Sequence, residues 1–166
     1  MRDIQYPGRS VVMATDAMVA TSQPMATAAA LQILRRGGNA MDAAVAASAV
    51  LCVTEPLATG IGGDCFLLYH EAATGKLHAL NGSGRAPGRA TPDAFRGQDM
   101  SSVPGRGILS LTVPGAVDAW QTAVGRFGTL DHGALLAPAI DYAEAGIAVS
   151  QVVAADWQRQ AGLFRQ

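Results

Sequence analysis

The apolar residues between positions 24 and 53 fall into two segments with helical character. In the first, Pro24 suits the opening turn of a helix, because proline has no N–H group to leave unpaired. Thr21 and Ser22 precede it as candidate capping residues, and Gly37-Gly38 is typical of a helix end. The pattern therefore predicts a helix from Pro24 to about Arg36.

The second segment begins at Asn39 and predicts a helix that is buried on every side. The Asn39 side chain can cap the helix, and Asp42, three residues later, places an acid in the first turn. Between Ala43 and Val53 there are no charged residues, and Ser48 carries the only hydroxyl group. A helix that is apolar all round needs neighbouring elements to cover it, and its alanines let those elements approach closely.

Shorter runs of apolar residues predict strands. Val11–Ala14 and Ile108–Val113 each have the length and the apolar content of a buried strand. Cys65–Tyr69 and Lys76–Leu80, which are separated by a turn at Thr74-Gly75, predict a β-hairpin.

Three helices are expected in the rest of the chain. One begins at Pro114-Gly115 and ends near Gly128. A second covers Ala134–Ala145, with Pro138 starting or kinking a segment. Ser150 is a candidate cap for the third. The inner side of this third helix is expected to consist of Val152, Val153 and Trp157.

Composition narrows the class of protein. The chain has 166 residues, of which 49% are hydrophobic and 15% charged, and its formal net charge is -1. A nucleic-acid binder usually carries a basic face, so nucleic acid is not an expected partner. The first residues lack the apolar core of a secretory signal, and the most apolar run is too short to cross a bilayer. We therefore expect a cytoplasmic protein without membrane contact, built as one α/β or α+β layered domain.

The segment Thr59–Asp64 is a glycine-rich loop, but its spacing does not predict nucleotide binding. Cys65 stands where the third glycine of a G-x-G-x-x-G motif belongs, and no G-K-[ST] sequence follows. The loop also leads from a helix into a strand, which is the reverse of a phosphate-binding loop. We expect these glycines to serve close packing, and we expect no cofactor.

The histidines and cysteines predict neither a metal site nor a nucleophile. His70, His78 and His132 lack paired ligands at zinc-like spacing, although His70 and His78 are candidates to face each other across the hairpin. Cys52 and Cys65 lie in apolar stretches, where a cysteine is most often a small buried hydrophobe. No metal is expected.

Two residues of the loop at positions 81–88 are candidates for substrate contact. Ser83 lies in Gly82-Ser83-Gly84, which is not the five-residue elbow of serine hydrolases, so no role as nucleophile is expected. Arg85 stands alone among small residues, and its planar guanidinium can hold a carboxylate by two parallel hydrogen bonds. Judged from its surroundings alone, a solvated loop arginine is an equally good interpretation.

Several separated segments together resemble the gamma-glutamyltransferase family. The resemblance covers nearly the whole chain from about Val11 onward, and the segments follow one another in the family's order. They are Gln23–Thr27, Ile33–Ala47, Thr54–Gly63, Gly84–Pro87, Val113–Gly115, Arg126–Gly128, Leu135–Ile140 and Ala143–Gly146.

The resemblance implies an N-terminal-nucleophile hydrolase with an αββα layered fold, of which residues 1–166 form the N-terminal part of the large subunit. Members cut themselves into two subunits, and the new N-terminal threonine of the small subunit is the nucleophile, with its own α-amine as base. No threonine of this chain matches it, including Thr54, Thr59 and Thr112. The resemblance therefore places the catalytic threonine beyond Gln166, and this chain alone is expected to be inactive.

One position departs from the family pattern. Typical members have an Arg-Glu pair shortly before the Ala-Pro of this loop, and that arginine binds the α-carboxylate of the glutamyl group. With Ala86-Pro87 aligned, Ser83 stands at the arginine position and Gly84 at the glutamate position. Arg85 lies two residues later and can replace the family arginine only if the loop is rearranged. Without that arginine, cephalosporin-type acylases and oxamate amidohydrolase become candidate relatives beside glutathione-type enzymes. We expect Ser83 and Arg85 to be substrate-binding residues.

The leading hypothesis is part of a self-processing N-terminal-threonine amidohydrolase or acyltransferase that cleaves gamma-glutamyl or related acyl-amide bonds. Its expected partners are a small-molecule amide or gamma-glutamyl substrate and the small subunit. The alternative is a non-catalytic scaffold or interaction module of the same fold. A stable, monodisperse monomer of this chain favours the alternative, whereas dependence on a partner chain favours the enzyme.

Overall fold

A computed structural model describes residues 10–164. The described residues form helices and a single antiparallel hairpin, which confirms the predicted α+β class. In chain order the elements are α1 (Pro24–Arg35), α2 (Ala40–Thr54), β1 (Cys65–Glu71), β2 (Lys76–Gly82), α3 (Pro92–Arg96), α4 (Ala116–Phe127), α5 (His132–Ala145) and α6 (Gln151–Gln160). Single 3-10 turns cover Ile108–Ser110 and Ala161–Leu163.

Helix α2 is the centre of the core, as its apolar sequence predicts. Helices α1, α4 and α5 pack against it. Its small residues let these helices approach closely, while Ile33, Trp120 and Leu135 fill the larger spaces between them. A narrow strip of α2, formed by Ala40, Ala44 and Ser48, is less deeply buried and lines a cleft beside β1.

The start of α2 has the capping arrangement predicted from Asn39 and Asp42. The Asn39 side chain accepts hydrogen bonds from the N–H groups of Met41 at 2.9 Å and Asp42 at 3.1 Å, and the Asn39 N–H donates to Asp42 Oδ2 at 2.9 Å. Asp42 is fully buried and also accepts from the Thr129 amide and hydroxyl and from the Leu130 amide. One carboxylate thus ties α2 to the connection between α4 and α5.

The pKa of Asp42 reflects these contacts. Burial favours the neutral acid, but the hydrogen bonds from Thr129, Asn39 and Leu130 outweigh it and hold the pKa of the Asp42 carboxyl below its ordinary value. The carboxylate is therefore ionised in the folded protein at neutral pH.

The hairpin confirms the two predicted strands but not the predicted histidine pair. The register pairs Tyr69 with His78 and His70 with Leu77. Directly opposed residues share a face, so His78 lies on the inner face with Tyr69, and its ring packs against Phe127 with the ring centroids 4.7 Å apart. His70 is on the outer face, and the prediction that the two histidines face each other is wrong.

Two other predicted strands are wrong. Residues 11–14 are irregular, with Val11 and Met13 almost fully exposed. Ile108–Ser110 forms a 3-10 turn, and the chain from there to Val113 is irregular. A strand needs a hydrogen-bonded neighbour, and within residues 10–164 only β1 and β2 are paired with each other. Apolar content alone therefore did not produce a strand at either place.

The end of α2 is joined to the start of α1 by polar side chains. Gln23, rather than Thr21 or Ser22, occupies the position before α1, and its side chain makes no capping hydrogen bond. Instead Gln23 Nε2 donates to Glu55 Oε1 at 2.7 Å, and the Ser22 hydroxyl donates to Glu55 Oε2 at 2.6 Å. The hydroxyl group expected to cap one helix thus connects two.

The last two helices begin as predicted except at the start of α5. α5 begins at His132, two residues before the predicted start, because the Asp131 side chain accepts from the Ala134 N–H at 3.0 Å and caps it. Ser150 caps α6 as predicted.

The predicted inner side of α6 is largely wrong. Val153 is buried, but Val152 is 70% exposed and Trp157 is 41% exposed. Adjacent helical residues point about 100° apart, so Val152 cannot share the narrow buried side with Val153. Within residues 10–164, no helix has the length and apolar content needed to cross a membrane.

Candidate functional site

Three glycine-containing loops meet where the open end of the hairpin approaches α4, and we call this the three-loop junction. It consists of residues 60–64 before β1, residues 81–88 from the end of β2, and residues 112–116 at the start of α4. Both predicted substrate-binding residues, Ser83 and Arg85, belong to it. The structure therefore brings the predicted residues to a place built from three separate segments.

Backbone hydrogen bonds join two of the three pairs of loops. The carbonyl oxygen of Gly63 accepts from the N–H groups of Gly115 at 3.0 Å and Ala116 at 2.9 Å, which joins the first loop to the third. The carbonyl oxygen of Arg85 accepts from the Val113 N–H at 3.0 Å, which joins the second loop to the third. These bonds depend on backbone position and not on side-chain identity.

A side chain joins the remaining pair. Asp64 Oδ1 accepts from the Gly84 N–H at 2.8 Å, so the first loop holds the second directly. Within the second loop, Asn81 Oδ1 accepts from the Ser83 N–H at 2.9 Å. Sequence reasoning did not single out Asp64 or Asn81, because the first bond spans 20 positions and neither residue stands in a motif with a known chemical role.

Glycine is required where the second and third loops touch. A Cβ atom on Gly84 would lie 1.6 Å from the Val113 carbonyl oxygen, and one on Gly115 would lie 2.2 Å from the Gly82 carbonyl oxygen. Both distances are far shorter than any real carbon–oxygen contact. The two loops can meet only because neither Gly84 nor Gly115 has a side chain.

The glycine-rich first loop is packed less closely than its sequence predicts. Added Cβ atoms on Gly60 and Gly62 would meet nothing within 4 Å, and one on Gly63 would make an ordinary contact. The prediction that these glycines serve close packing is therefore wrong, and the closely packed glycines of the junction are Gly84 and Gly115.

Ser83 and Arg85 are both exposed on the junction. Among residues 10–164 the Ser83 hydroxyl and the Arg85 guanidinium make no hydrogen bond or ion pair with another side chain, so both are available to a ligand. Their backbones, by contrast, are fixed by the bonds to Asn81 and Val113. A hydroxyl donor and a guanidinium held two residues apart suit an anionic group such as a carboxylate.

An apolar cleft of about 620 Å³ begins beside the junction. It shares Gly60, Ile61 and Gly62 with the first loop, and it extends between α2, α4 and α5. Its lining also includes Val117 and Ile140, which are each about half exposed. An apolar portion of a molecule bound at the junction would find a matching surface here.

The cysteines are free and half-buried. Burial raises the pKa of both the Cys52 and the Cys65 thiol, which keeps them protonated and poorly nucleophilic at neutral pH. This agrees with their interpretation as small hydrophobic residues. In the described part of the chain, no three His, Cys, Asp or Glu side chains are grouped closely enough to hold a metal ion.

Sequence comparison identifies the family along most of the chain. The sequence profile described as gamma-glutamyltranspeptidase matches residues 26–166. The glutathione hydrolase-like YwrD proenzyme of Bacillus subtilis (strain 168) is 44% identical over 140 residues, which are 84% of this chain and 26% of that protein. The chain thus spans about a quarter of the length of this relative.

Two solved structures share the fold. The gamma-glutamyltranspeptidase of Helicobacter pylori matches with a TM-score of 0.84 and 33% identity, over 91% of this chain and 44% of that one. The cephalosporin acylase from Bacillus halodurans matches with a TM-score of 0.83 and 40% identity, over 96% of this chain and 31% of that one. They confirm the fold as the N-terminal portion of an N-terminal-nucleophile hydrolase.

These relatives also bear on the two functional hypotheses. The Bacillus subtilis protein is named a proenzyme, and both solved structures are named as enzymes, so the comparison does not favour a non-catalytic scaffold. The profile match over most of the chain and the identity with these proteins lead to one conclusion: the chain belongs to the gamma-glutamyltranspeptidase family.

Proposed function

We propose that this chain is part of a self-processing amidohydrolase or acyltransferase, and that the three-loop junction forms one wall of its acyl-donor pocket. The observation that supports this most directly is the exposed pair Ser83 and Arg85, on a backbone held by hydrogen bonds, in a chain of this family. Residues 1–166 contribute the scaffold and this wall, as one incomplete domain. Cytoplasmic location remains a prediction.

The nucleophile of the proposed enzyme is an N-terminal threonine that lies beyond Gln166 in the complete protein and is released by self-cleavage. Its α-amine titrates near neutral pH and removes the hydroxyl proton, after which the hydroxyl oxygen attacks the amide carbonyl. The amine part of the donor amide leaves with the proton that the α-amine had taken up. An ester-linked acyl-enzyme remains. Water completes hydrolysis, or an acceptor amine completes transfer.

Arg85 and Ser83 supply recognition in this scheme and take no part in bond cleavage. A guanidinium is always charged and presents paired N–H donors, so Arg85 suits a carboxylate on the acyl group. The Ser83 hydroxyl donates one further hydrogen bond. The proposed donor is therefore an amide whose acyl group carries a carboxylate, and the apolar cleft beside the junction accepts its uncharged part.

The proposed range of substrates is not restricted to glutathione, and the reason is the position of the arginine. At the junction the charged group comes from Arg85, whose backbone is bonded to Val113, and the preceding positions are occupied by Ser83 and Gly84. A shift of two residues along a loop moves a side chain by several ångströms, so the preferred carboxylate is expected at a different distance from the amide bond. The names of the similar proteins include both a glutathione hydrolase-like proenzyme and a cephalosporin acylase.

Self-processing is tested by the intact mass of the complete protein purified from its natural source. We expect two species, and we expect sequencing of the smaller one to begin at threonine. If the complete protein remains one uncut chain and hydrolyses no amide, the proposed catalysis is wrong. The cleavage assay needs no knowledge of the substrate, so it separates processing from specificity.

Arg85→Ala in the processed enzyme is expected to raise KM for carboxylate-bearing amide donors by about 10- to 100-fold, because a hydrogen bond to a charged group contributes about 1.5–3 kcal/mol. The expected change in kcat is small, since Arg85 does not contact the scissile bond. Initial rates over a range of donor concentrations give both constants.

Two comparisons make this test specific. Arg89→Ala removes an exposed arginine four residues further along the chain, just outside the second loop, and is expected to leave KM unchanged. A donor in which the carboxylate is replaced by a neutral amide should bind Arg85→Ala and the wild type equally. If KM for every carboxylate-bearing donor is unaffected by Arg85→Ala, the assignment of Arg85 to the pocket is wrong.

A further inference from the structure

We infer that Asp64 is a positioning residue of the acyl-donor pocket: its carboxylate fixes the loop that carries Ser83 and Arg85. The inference rests on the proposed function, because it assigns Asp64 a role in substrate binding through these two residues. It concerns the contact between Asp64 Oδ1 and the Gly84 N–H, 2.8 Å apart.

The first argument is the place of this bond in the junction. Gly63 joins the first loop to the third, and Arg85 joins the second to the third, in both cases through backbone atoms. Asp64 alone joins the first loop to the second, and it does so with a side chain. The other two connections are made by backbone atoms alone, so this is the connection that a side-chain substitution removes directly.

The second argument is where the bond acts. Gly84 lies between Ser83 and Arg85, so its N–H belongs to the peptide bond that links Ser83 to Gly84. Gly84 has no side chain that could hold the loop, and the Val113 carbonyl group occupies the space that a side chain would need. The Asp64 carboxylate therefore holds the backbone N–H group at the centre of the Ser83–Arg85 segment.

The third argument is the strength of this type of bond. An ionised carboxylate forms a shorter and stronger hydrogen bond to a backbone N–H than a neutral acceptor does. Asp64 is exposed, so water competes with this contact, and its loss is expected to loosen the loop without unfolding the protein. Looser positioning of Arg85 weakens binding of the donor, and it leaves the chemical step of bound donor largely unchanged.

The test compares three variants of the complete, processed enzyme. Asp64→Ala removes the acceptor and is expected to raise KM for a carboxylate-bearing donor about tenfold, with a small change in kcat. Asp64→Asn retains an oxygen acceptor at the same place and is expected to recover most of this loss. Asp141→Ala, an exposed aspartate of α5 outside the junction, is the matched control.

Hydrogen exchange on the same variants provides a readout that does not depend on catalysis. Backbone amides of residues 81–88 are expected to exchange faster in Asp64→Ala than in the wild type, with Asp64→Asn close to the wild type. Self-cleavage is expected to be complete in all three variants, which shows that the protein has folded.

The possible outcomes separate the two proposals. If the wild type hydrolyses no amide, the proposed function fails, while hydrogen exchange still decides whether Asp64 holds the loop. If Asp64→Asn raises KM as much as Asp64→Ala does while residues 81–88 exchange at the wild-type rate in both variants, Asp64 acts on the donor through its charge and the positioning role is overturned. The role is also overturned if Asp64→Ala leaves KM and the exchange of residues 81–88 unchanged.

Discussion

Replacing Gly84 with alanine is expected to destabilise the protein by about 3 kcal/mol or more and to abolish donor binding. The new Cβ would lie 1.6 Å from the Val113 carbonyl oxygen and 2.7 Å from its carbonyl carbon. Both are backbone atoms, so no side-chain rotation can relieve the overlap. The second and third loops must separate, and the bond between the Arg85 carbonyl and the Val113 N–H is then lost.

Gly88→Ala is the matched control for this substitution. Gly88 lies four residues further along the same loop, and an added Cβ there meets no atom within 4 Å. Its effect on stability is expected to lie within about 0.5 kcal/mol. Thermal unfolding of both variants, together with their soluble yield, measures the difference. Equal unfolding midpoints for the two variants would mean that Gly84 and Val113 are not in contact.

The helical core could be predicted from the sequence because its signals are local. The cap at Asn39 and the acid at Asp42 are three residues apart, and both act within the first turn of α2. The absence of a polar face on the rest of α2 predicts burial, and the helix is indeed central. Local periodicity and capping are sufficient in such a case, since tertiary packing agrees with them.

The errors arise where a prediction depends on a distant partner. Val11–Ala14 has the composition of a strand, but a strand also needs a hydrogen-bonded neighbour, and in residues 10–164 none lies beside it. The histidine pair failed for a related reason. The turn between the strands sets their register. The observed register pairs His70 with Leu77 and not with His78, which places the two histidines on opposite faces of the hairpin.

The candidate site shows the same division. Ser83 and Arg85 were found from their chemistry and from the family resemblance, which are properties of one short segment. Asp64 and the contact between Gly84 and Val113 were not found, because each joins segments at least 20 positions apart. Glycine content indicated the wrong loop as the packed one, since the sequence gives the number of glycines and not what surrounds them.

The two aspartates that join separate segments differ in the expected cost of losing them. Asp64 is exposed, so water can replace it at the Gly84 N–H. Asp42 is fully buried, so no solvent can replace it at the N–H groups of Asn39, Thr129 and Leu130. Loss of Asp64 is therefore expected to appear in substrate binding, and loss of Asp42 in folding.

Asp42→Asn is expected to cost about 3 kcal/mol of folding stability at neutral pH. Both carboxylate oxygens accept hydrogen bonds, Oδ1 from the Thr129 and Leu130 amides and Oδ2 from the Asn39 amide and the Thr129 hydroxyl. An asparagine side chain has one oxygen, and its NH₂ group must face donors in place of the other. Asp131→Ala, which removes an exposed capping aspartate of α5, is the control, and about 1 kcal/mol is expected for it.

The pH dependence of this difference tests the cause. The pKa of Asp42 is lowered in the folded state, so its ionisation stabilises the protein fully above the ordinary pKa of an aspartate and progressively less as the pH falls through the folded value. The stability gap between the wild type and Asp42→Asn is therefore expected to be constant above about pH 5 and to shrink below about pH 4. Denaturant unfolding at a series of pH values measures the gap. A gap that stays constant down to about pH 2.5 would show that the buried charge is not what holds α2 to the α4–α5 connection, because Asp42 would then stabilise the fold equally when protonated.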